Sequence, residues 1–430
     1  MLNQGKSCAL AAIFAVCVLP AAHAAEFEWT KYKGATVSFL VNNNAIGNAL
    51  VANKADFERL TGMTLKVDTY QEQQMRQRLV TVLNARSDET DVFMTLVSRE
   101  GQQFAKAGWY ADLAAMKDDA APGYDYAGFS PALIAANTIN GTLTGMPLNI
   151  EGPVVYYRKD VFQKCGLTFP TQVTDLPATA KAIKACDPAI TPFASRGLRD
   201  AVAYTFSNVV HNMGGAYIRD GKSDLCSQPN QAALGLYAGL LKEYGPPGAV
   251  NYTFNQLDAL YRAGRAAMVF ESQNELSSMM EGGARDADTG IRVLPPGPGG
   301  SVPTAIGWSL SISPFSRSKG PAWYFVQWAT SPATQAKIAL SGVAAPRAAV
   351  ADLPEVKAWI AAKPVRADWQ AAVDEIAAKG SSEVGYPIVA NPASRGPIGQ
   401  AVDDVLLGAK PVAAACADAD RALDALITGN

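Results

Sequence analysis

Histidine is scarce in this chain. Only His23 and His211 occur among 430 residues, which excludes a metal site built on several histidine ligands. No GxSxG elbow surrounds a serine, so nothing supports a Ser-His-Asp triad around His211. Beside Asn212, that histidine reads as structural. The phosphate and dinucleotide signatures GxxxxGK[ST] and GxGxxG are missing, as is any CxxC pair. No cofactor and no metal are expected. An excess of basic residues is missing too. The formal net charge is −2, and a weakly acidic surface of mixed sign excludes nucleic acid as a partner. After residue 25 no run is long and apolar enough to cross a bilayer, which takes roughly 20 apolar residues.

The opening residues carry the order of a secretory signal. Lys6 is the one charge among the first 25 residues, an apolar run follows from Cys8 to Leu19, and Ala22-His23-Ala24 is a small-x-small exit. Residues 1–24 therefore read as a cleaved signal peptide, placing the mature chain in the periplasm with net charge −3. Cys17 lies between Val16 and Val18, where a lipid-attachment site wants small residues, so a lipoprotein reading is rejected. Four cysteines stay: Cys165, Cys186, Cys226 and Cys416. An even number in an oxidising compartment suggests one or two disulfides among three possible pairings. Cys165–Cys186 is favoured because it would tie the ends of two neighbouring helices, leaving Cys226–Cys416. Free buried thiols are the alternative.

About 400 mature residues suggest two domains, since single cores seldom grow past roughly 300 residues. Thr36 to Val41 is a β-branched, apolar strand. Helical spacing runs through Ile46, Ala49, Leu50, Phe57 and Leu60 until Gly62 stops it. Thr64 to Thr69 alternates as a second strand, Met75, Leu79, Val82 and Leu83 mark a helix, and Asp91 to Val97 is a buried third strand. This βαβαβ order implies a parallel sheet with helices on both faces. Ligands of such sheets bind beyond the carboxyl ends of the strands. The loops Asn42-Asn43-Asn44, Tyr70-Gln71-Glu72 and Ser98-Arg99-Glu100 thus become candidates, although capping and turn chemistry also account for those residue types. A second α/β section starts near 148, Leu294 to Pro303 is the densest Pro/Gly stretch, and Ala305 to Ile312 reads as a strand.

Four stretches stand out: Gly141 to Pro147, then Glu151, then Tyr156-Tyr157-Arg158-Lys159-Asp160; Gly108-Trp109-Tyr110-Ala111-Asp112-Leu113; Gly264 to Met268; and Gly307-Trp308-Ser309-Leu310. They resemble carbohydrate-binding proteins of ABC importers, the maltose-binding-protein-like family. Val41-Asn42-Asn43, Met75-Arg76-Gln77-Arg78-Leu79 and Leu241 to Ala249 resemble its sorbitol/mannitol-binding branch most. The likeness covers essentially the whole mature chain.

The resemblance implies an α/β fold of the type II periplasmic-binding-protein kind. Two lobes close on a ligand, with three chain crossings near 148, 300 and 344. The N-terminal lobe would comprise 25–147 plus 300–343, and the C-terminal lobe 148–299 plus 344–430. It implies substrate-binding roles for Glu151, Tyr204, Glu271, Trp308 and Arg395 and puts Arg99 and Glu100 in the third-strand loop; with the strand-end residues Asn43, Asn44 and Glu72, and with Asn274, these are the expected substrate-binding residues. Planar carboxylates, amides and guanidinium forks suit sugar hydroxyls, and Trp or Tyr suits the apolar face of the ring. Arg395 stands where the maltose binder has a stacking aromatic, which argues against a long oligosaccharide. The expected protein is a monomeric binder, not an enzyme. It passes a small sugar or sugar alcohol to the membrane subunits of an importer, with a chemoreceptor as a further conceivable recipient. Two alternatives stay open: a secreted hydrolase or lyase using two of Glu100, Glu151 and Glu271, and a binder of a sugar acid, suggested by Arg99 and Arg395.

Overall fold

Strand β1 (Thr36–Asn42) lies at the heart of one sheet because its side chains are apolar on both faces; Val37, Phe39 and Val41 are fully buried and Leu40 nearly so. In this computed structural model, which describes residue 1 and residues 27–283 and 285–428, β1 runs parallel to β2 (Thr64–Tyr70) and to β3 (Val92–Leu96). The expected signal peptide lies, apart from Met1, outside the described residues. Beyond β3 come two antiparallel neighbours from distant parts of the chain. The first sheet has the order β2-β1-β3-β9-β4, with β4 at Met146–Pro147 and β9 at Trp308–Ile312. Between them in sequence, β5 (Pro153–Arg158), β6 (Thr191–Ser195), β7 (Ala266–Ser272) and β8 (Thr289–Val293) form a second sheet in the order β8-β5-β7-β6.

Helices cover both sheets. The expected single helix after β1 is two, α1 (Ala45–Ala52) and α2 (Lys54–Thr61). They separate at Asn53, whose Nδ2 donates to the Ala49 carbonyl at 2.8 Å and competes with the helical ladder. Next come α3 (Glu72–Asn84), α4 (Ala203–Asn212) and α5 (Phe254–Arg262). The chain ends with α6 (Lys319–Thr330), α7 (Pro364–Lys379) and α8 (Asn391–Leu406), followed by a last helix, Val412–Thr428. Helix α6 puts Trp323, Tyr324, Phe325 and Trp328 into the core of the first sheet, against Phe39 and Phe57. Helix α7 sets Trp369 and Ile376 against Val154, Tyr156 and Val269 of the second.

The sheets are joined by closely apposed backbone. Glu151 and Ile306 exchange two hydrogen bonds of 2.7 Å, Ile150 N–H donates to Ala344 O at 3.0 Å, and Ala305 N–H donates to Ser381 O at 2.7 Å. These pairings hold residues 304–306 out of the first sheet, so the strand expected from Ala305 begins only at Trp308. Glycine is needed at two points of closest approach. A Cβ at Gly152 would stand 2.2 Å from Thr304 O, and one at Gly307 would stand 2.3 Å from Asn149 O. Two disulfides brace the elements packed on the second sheet: Cys165–Cys186, with Cα atoms 5.7 Å apart, and Cys226–Cys416, at 5.0 Å.

Candidate functional site

The three parallel strands of the first sheet point their carboxyl ends toward the second sheet. Asn44 follows β1, Glu72 opens α3 after β2, and Arg99 stands in a wide helical turn (Val97–Gly101) after β3; all three line one cleft. The rest of the lining comes from the strands of the second sheet and the elements around them: Glu151, Arg196, Tyr204, Phe254, Asn274, Glu275 and Arg395. Trp308, the first residue of β9, and Ile306 complete the lining. The cleft is tight, with a cavity volume of about 30 Å³. The walls therefore stand close, and the site is shaped for a compact molecule.

Charge is arranged in linked pairs. Glu72 accepts from Arg76 Nη2 at 3.1 Å, four residues along α3, and lies 3.7 Å from Arg99 Nη1. Burial opposes ionisation of Glu72, but the guanidinium charges of Arg76, Arg99 and Arg196 outweigh it and hold the carboxyl at about 2. Arg76 also donates to Glu100 and lies 5.2 Å from the Trp308 ring centroid. On the facing wall Arg196 Nε donates to Glu271 at 2.8 Å, while a second donor, Nη2, reaches the other carboxylate oxygen. The same guanidinium lies 4.4 Å from the centroid of Tyr204. Glu151 is pushed up to about 7 by desolvation; the charges of Glu271 and Glu72 add to this, and Arg196 opposes it. Burial also raises the carboxyls of Glu275 and Asp258, which face each other. Arg395 is 3% exposed, and its Nε and Nη2 meet no acceptor.

Eight of the residues expected to bind substrate line this cleft: Asn44, Glu72, Arg99, Glu151, Tyr204, Asn274, Trp308 and Arg395. The other three, Asn43, Glu100 and Glu271, do not line it. Asn43 is exposed to solvent, and its backbone N–H instead pairs with Tyr70 O at 2.8 Å. Glu100 turns behind the wall, accepting from the Leu96 N–H at 2.8 Å and from Arg76. Glu271 is fully buried and spent on Arg196 and on the Ser272 N–H, at 2.7 Å. Asn274 lines the cleft, but its amide is engaged with backbone, donating to Ile150 O at 3.1 Å and accepting from Ala344 N–H at 2.9 Å. Arg196, Phe254 and Glu275 line the cleft and Arg76 stands behind it on Glu72 and Glu100, and none of the four is among the expected residues. Arg76 had a signal, standing one helical turn after Glu72. Arg196 had none, because its partner lies 75 residues away.

The family model for bacterial extracellular solute-binding proteins matches residues 42–336, most of the chain. The chain belongs to this family. Among its relatives is the mannitol-binding protein of Pseudomonas aeruginosa, 28% identical over 304 residues that make up 68% of each chain. The erythritol/L-threitol-binding protein of Mycolicibacterium smegmatis is 24% identical over 344 residues, 74% of this chain and 71% of that one. Solved solute-binding proteins share the fold. One from Agrobacterium radiobacter in complex with ribitol has a TM-score of 0.82 at 24% identity, covering 92% of this chain and 99% of that one. One from Agrobacterium vitis with bound D-mannitol has a TM-score of 0.80 at 22% identity, with the same coverage. Maltose-bound MalE3 of T. maritima scores 0.81 at 23% identity, covering 91% of this chain and all of that one. The fold is thus the two-lobed, type II binding-protein fold. The family is one of binding proteins, which sets aside the hydrolase and lyase readings.

Proposed function

We propose that this chain is the periplasmic solute-binding component of an ABC importer, capturing a monosaccharide-sized polyhydroxy solute by lobe closure and delivering it to the membrane subunits. The observation that carries this reading is the make-up of the cleft. One narrow space is lined from both sheets by groups suited to hydroxyls, namely Glu72, Glu151 and the arginines, and by the aromatic side chains of Trp308 and Tyr204. Because both lobes contribute, a ligand gains its full set of contacts only when they are together, and binding draws the protein toward the closed form. Relatives that bind mannitol, erythritol and L-threitol support a polyol or sugar of this size. The lobes are assigned as 25–147 plus 300–343 and 148–299 plus 344–430. The backbone pairings at Glu151–Ile306 and Ile150–Ala344 support crossings at these places. The mature protein is a monomer from which residues 1–24 have been removed, and it serves import, with a chemoreceptor as a second recipient of the same closed form.

Thermal unfolding of the purified protein with a panel of pentitols, hexitols, hexoses and sugar acids tests the reading. At least one of them is expected to raise the melting temperature in a concentration-dependent way. Glu151→Ala is expected to abolish that rise while the protein still unfolds cooperatively. Indifference to the entire panel would refute capture of a small carbohydrate. The mass of the exported protein tests removal of residues 1–24.

A further inference from the structure

Four arginines surround the cleft, and their partners differ. Arg76 is matched by Glu72 and Glu100, and Arg196 by Glu271. Among the described residues Arg99 forms one ion pair, with Glu72 at 3.7 Å, a carboxylate already bonded to Arg76; the charges of Glu100 and Asp200 also act on it. Arg395 has no ion pair or hydrogen bond among the described residues; its Nε and Nη2 are enclosed with nothing to donate to. It lines the cleft beside Arg99, and the charges acting on it include the guanidinium groups of both Arg99 and Arg76. A buried, unpaired cation next to two others is costly. The nearby carboxylates, Glu72 and Glu100, are committed elsewhere.

We infer that the solute is an acid, a monocarboxylate of monosaccharide size whose carboxylate seats on Arg395 and Arg99. This rests on the binding role proposed above and names the class of ligand for the same cleft. A neutral polyol offers acceptors to Nε and Nη2 but leaves the charge uncompensated. A carboxylate supplies both, and its two oxygens match the planar guanidinium fork. Burial, and the neighbouring guanidinium charges of Arg99 and Arg76, destabilise the Arg395 cation, and a bound anion relieves that. The far wall sets the other limit. Glu151 and Glu275 face the cleft there, with Glu271 and Asp258 behind them. Carboxyls crowded by burial and by each other accept and donate hydrogen bonds to hydroxyls but repel a second anion. The ligand is therefore acidic at one end and hydroxylated at the other, as in an aldonic acid.

Calorimetric titration of the full mature chain with aldonates and hexuronates, each paired with the alditol of the same carbon skeleton, decides the matter. The preferred acid is expected to bind at least about tenfold more tightly than its alditol. Arg395→Gln is expected to shrink that ratio below about threefold, with Arg395→Lys keeping part of it. An alditol or neutral sugar that binds as tightly as every acid overturns the inference while leaving the transport role standing. Failure of acids and neutral compounds alike overturns both. Because a glutamine at 395 could impair folding, the wild-type ratio of acid to alditol is itself decisive. A folded Arg395→Gln that keeps the full preference refutes Arg395 as the seat.

Discussion

Glu271 is buried completely and holds Arg196 through both carboxylate oxygens, so the cleft-facing guanidinium is fixed from behind the wall. Substituting Glu271→Gln keeps the shape and removes the charge. Arg196 would then be a buried cation whose nearest anion is gone, and breaking such a pair costs about 3–5 kcal/mol. Urea unfolding is expected to show a loss of that size, together with weaker ligand binding, since Arg196 also packs on Tyr204. A variant as stable as the wild type would show that the pair contributes no net stability.

Glu151 gives a pH dependence whose sign can be worked out. Folding lifts its carboxyl from the ordinary 4.5 to about 7, so the folded protein holds this proton more tightly than the unfolded chain does. The group favours folding below about pH 4.5, and the advantage is lost as pH rises toward 7. Glu151→Gln removes the effect. Between pH 5 and pH 8 the ligand-free variant is expected to gain on the wild type by up to about 3 kcal/mol. Urea midpoints across that range check it, and parallel pH profiles would place the Glu151 carboxyl in the ordinary range.

Asn274 acts on the junction between the lobes. Its side chain joins Ile150 O to Ala344 N–H, and neighbouring Gln273 accepts from Gly152 N–H and donates to Ile150 O, both at 2.8 Å. Asn274→Ala leaves a buried amide N–H unpaired, which costs about 1–3 kcal/mol. The expected readout is lower stability even without ligand. A purely ligand-contacting role would instead leave ligand-free stability unchanged and affect only binding.

The two disulfides are expected to differ in what they contribute. Cys226–Cys416 closes 190 residues and Cys165–Cys186 closes 21. By loop entropy, removing the first by paired serine substitution costs about 5 kcal/mol and removing the second about 3. Equal losses in urea unfolding would show that chain entropy does not govern the difference.

Much of this was legible from local pattern. Strands β1 to β3 carry β-branched or alternating runs, and their order placed Asn44, Glu72 and Arg99 at one sheet edge. The break at Asn53 was hidden, because the apolar spacing from Ile46 to Leu60 continues across it and only a side-chain hydrogen bond divides the helix. The start of β9 was also hidden, because Ala305 and Ile306 pair with Ser381 and Glu151, partners that the strand's own residues do not reveal. Carboxylates were easier to find than to place. Glu100 and Glu271 look like ligands for hydroxyls until Arg76 and Arg196 are brought against them by the fold.

The order of the strands has a consequence for how the chain comes to be folded. The first sheet is incomplete until residues 308–312 slot between β3 and β4. The core of the second lobe gathers residues from Val155 as far as Leu423. Neither lobe can finish its interior from a continuous stretch of chain, and closing such distant contacts slows folding. A newly made copy thus lacks the means to lock either half until nearly all of it has been synthesised, which keeps it threadable for longer than a protein built from two consecutive domains.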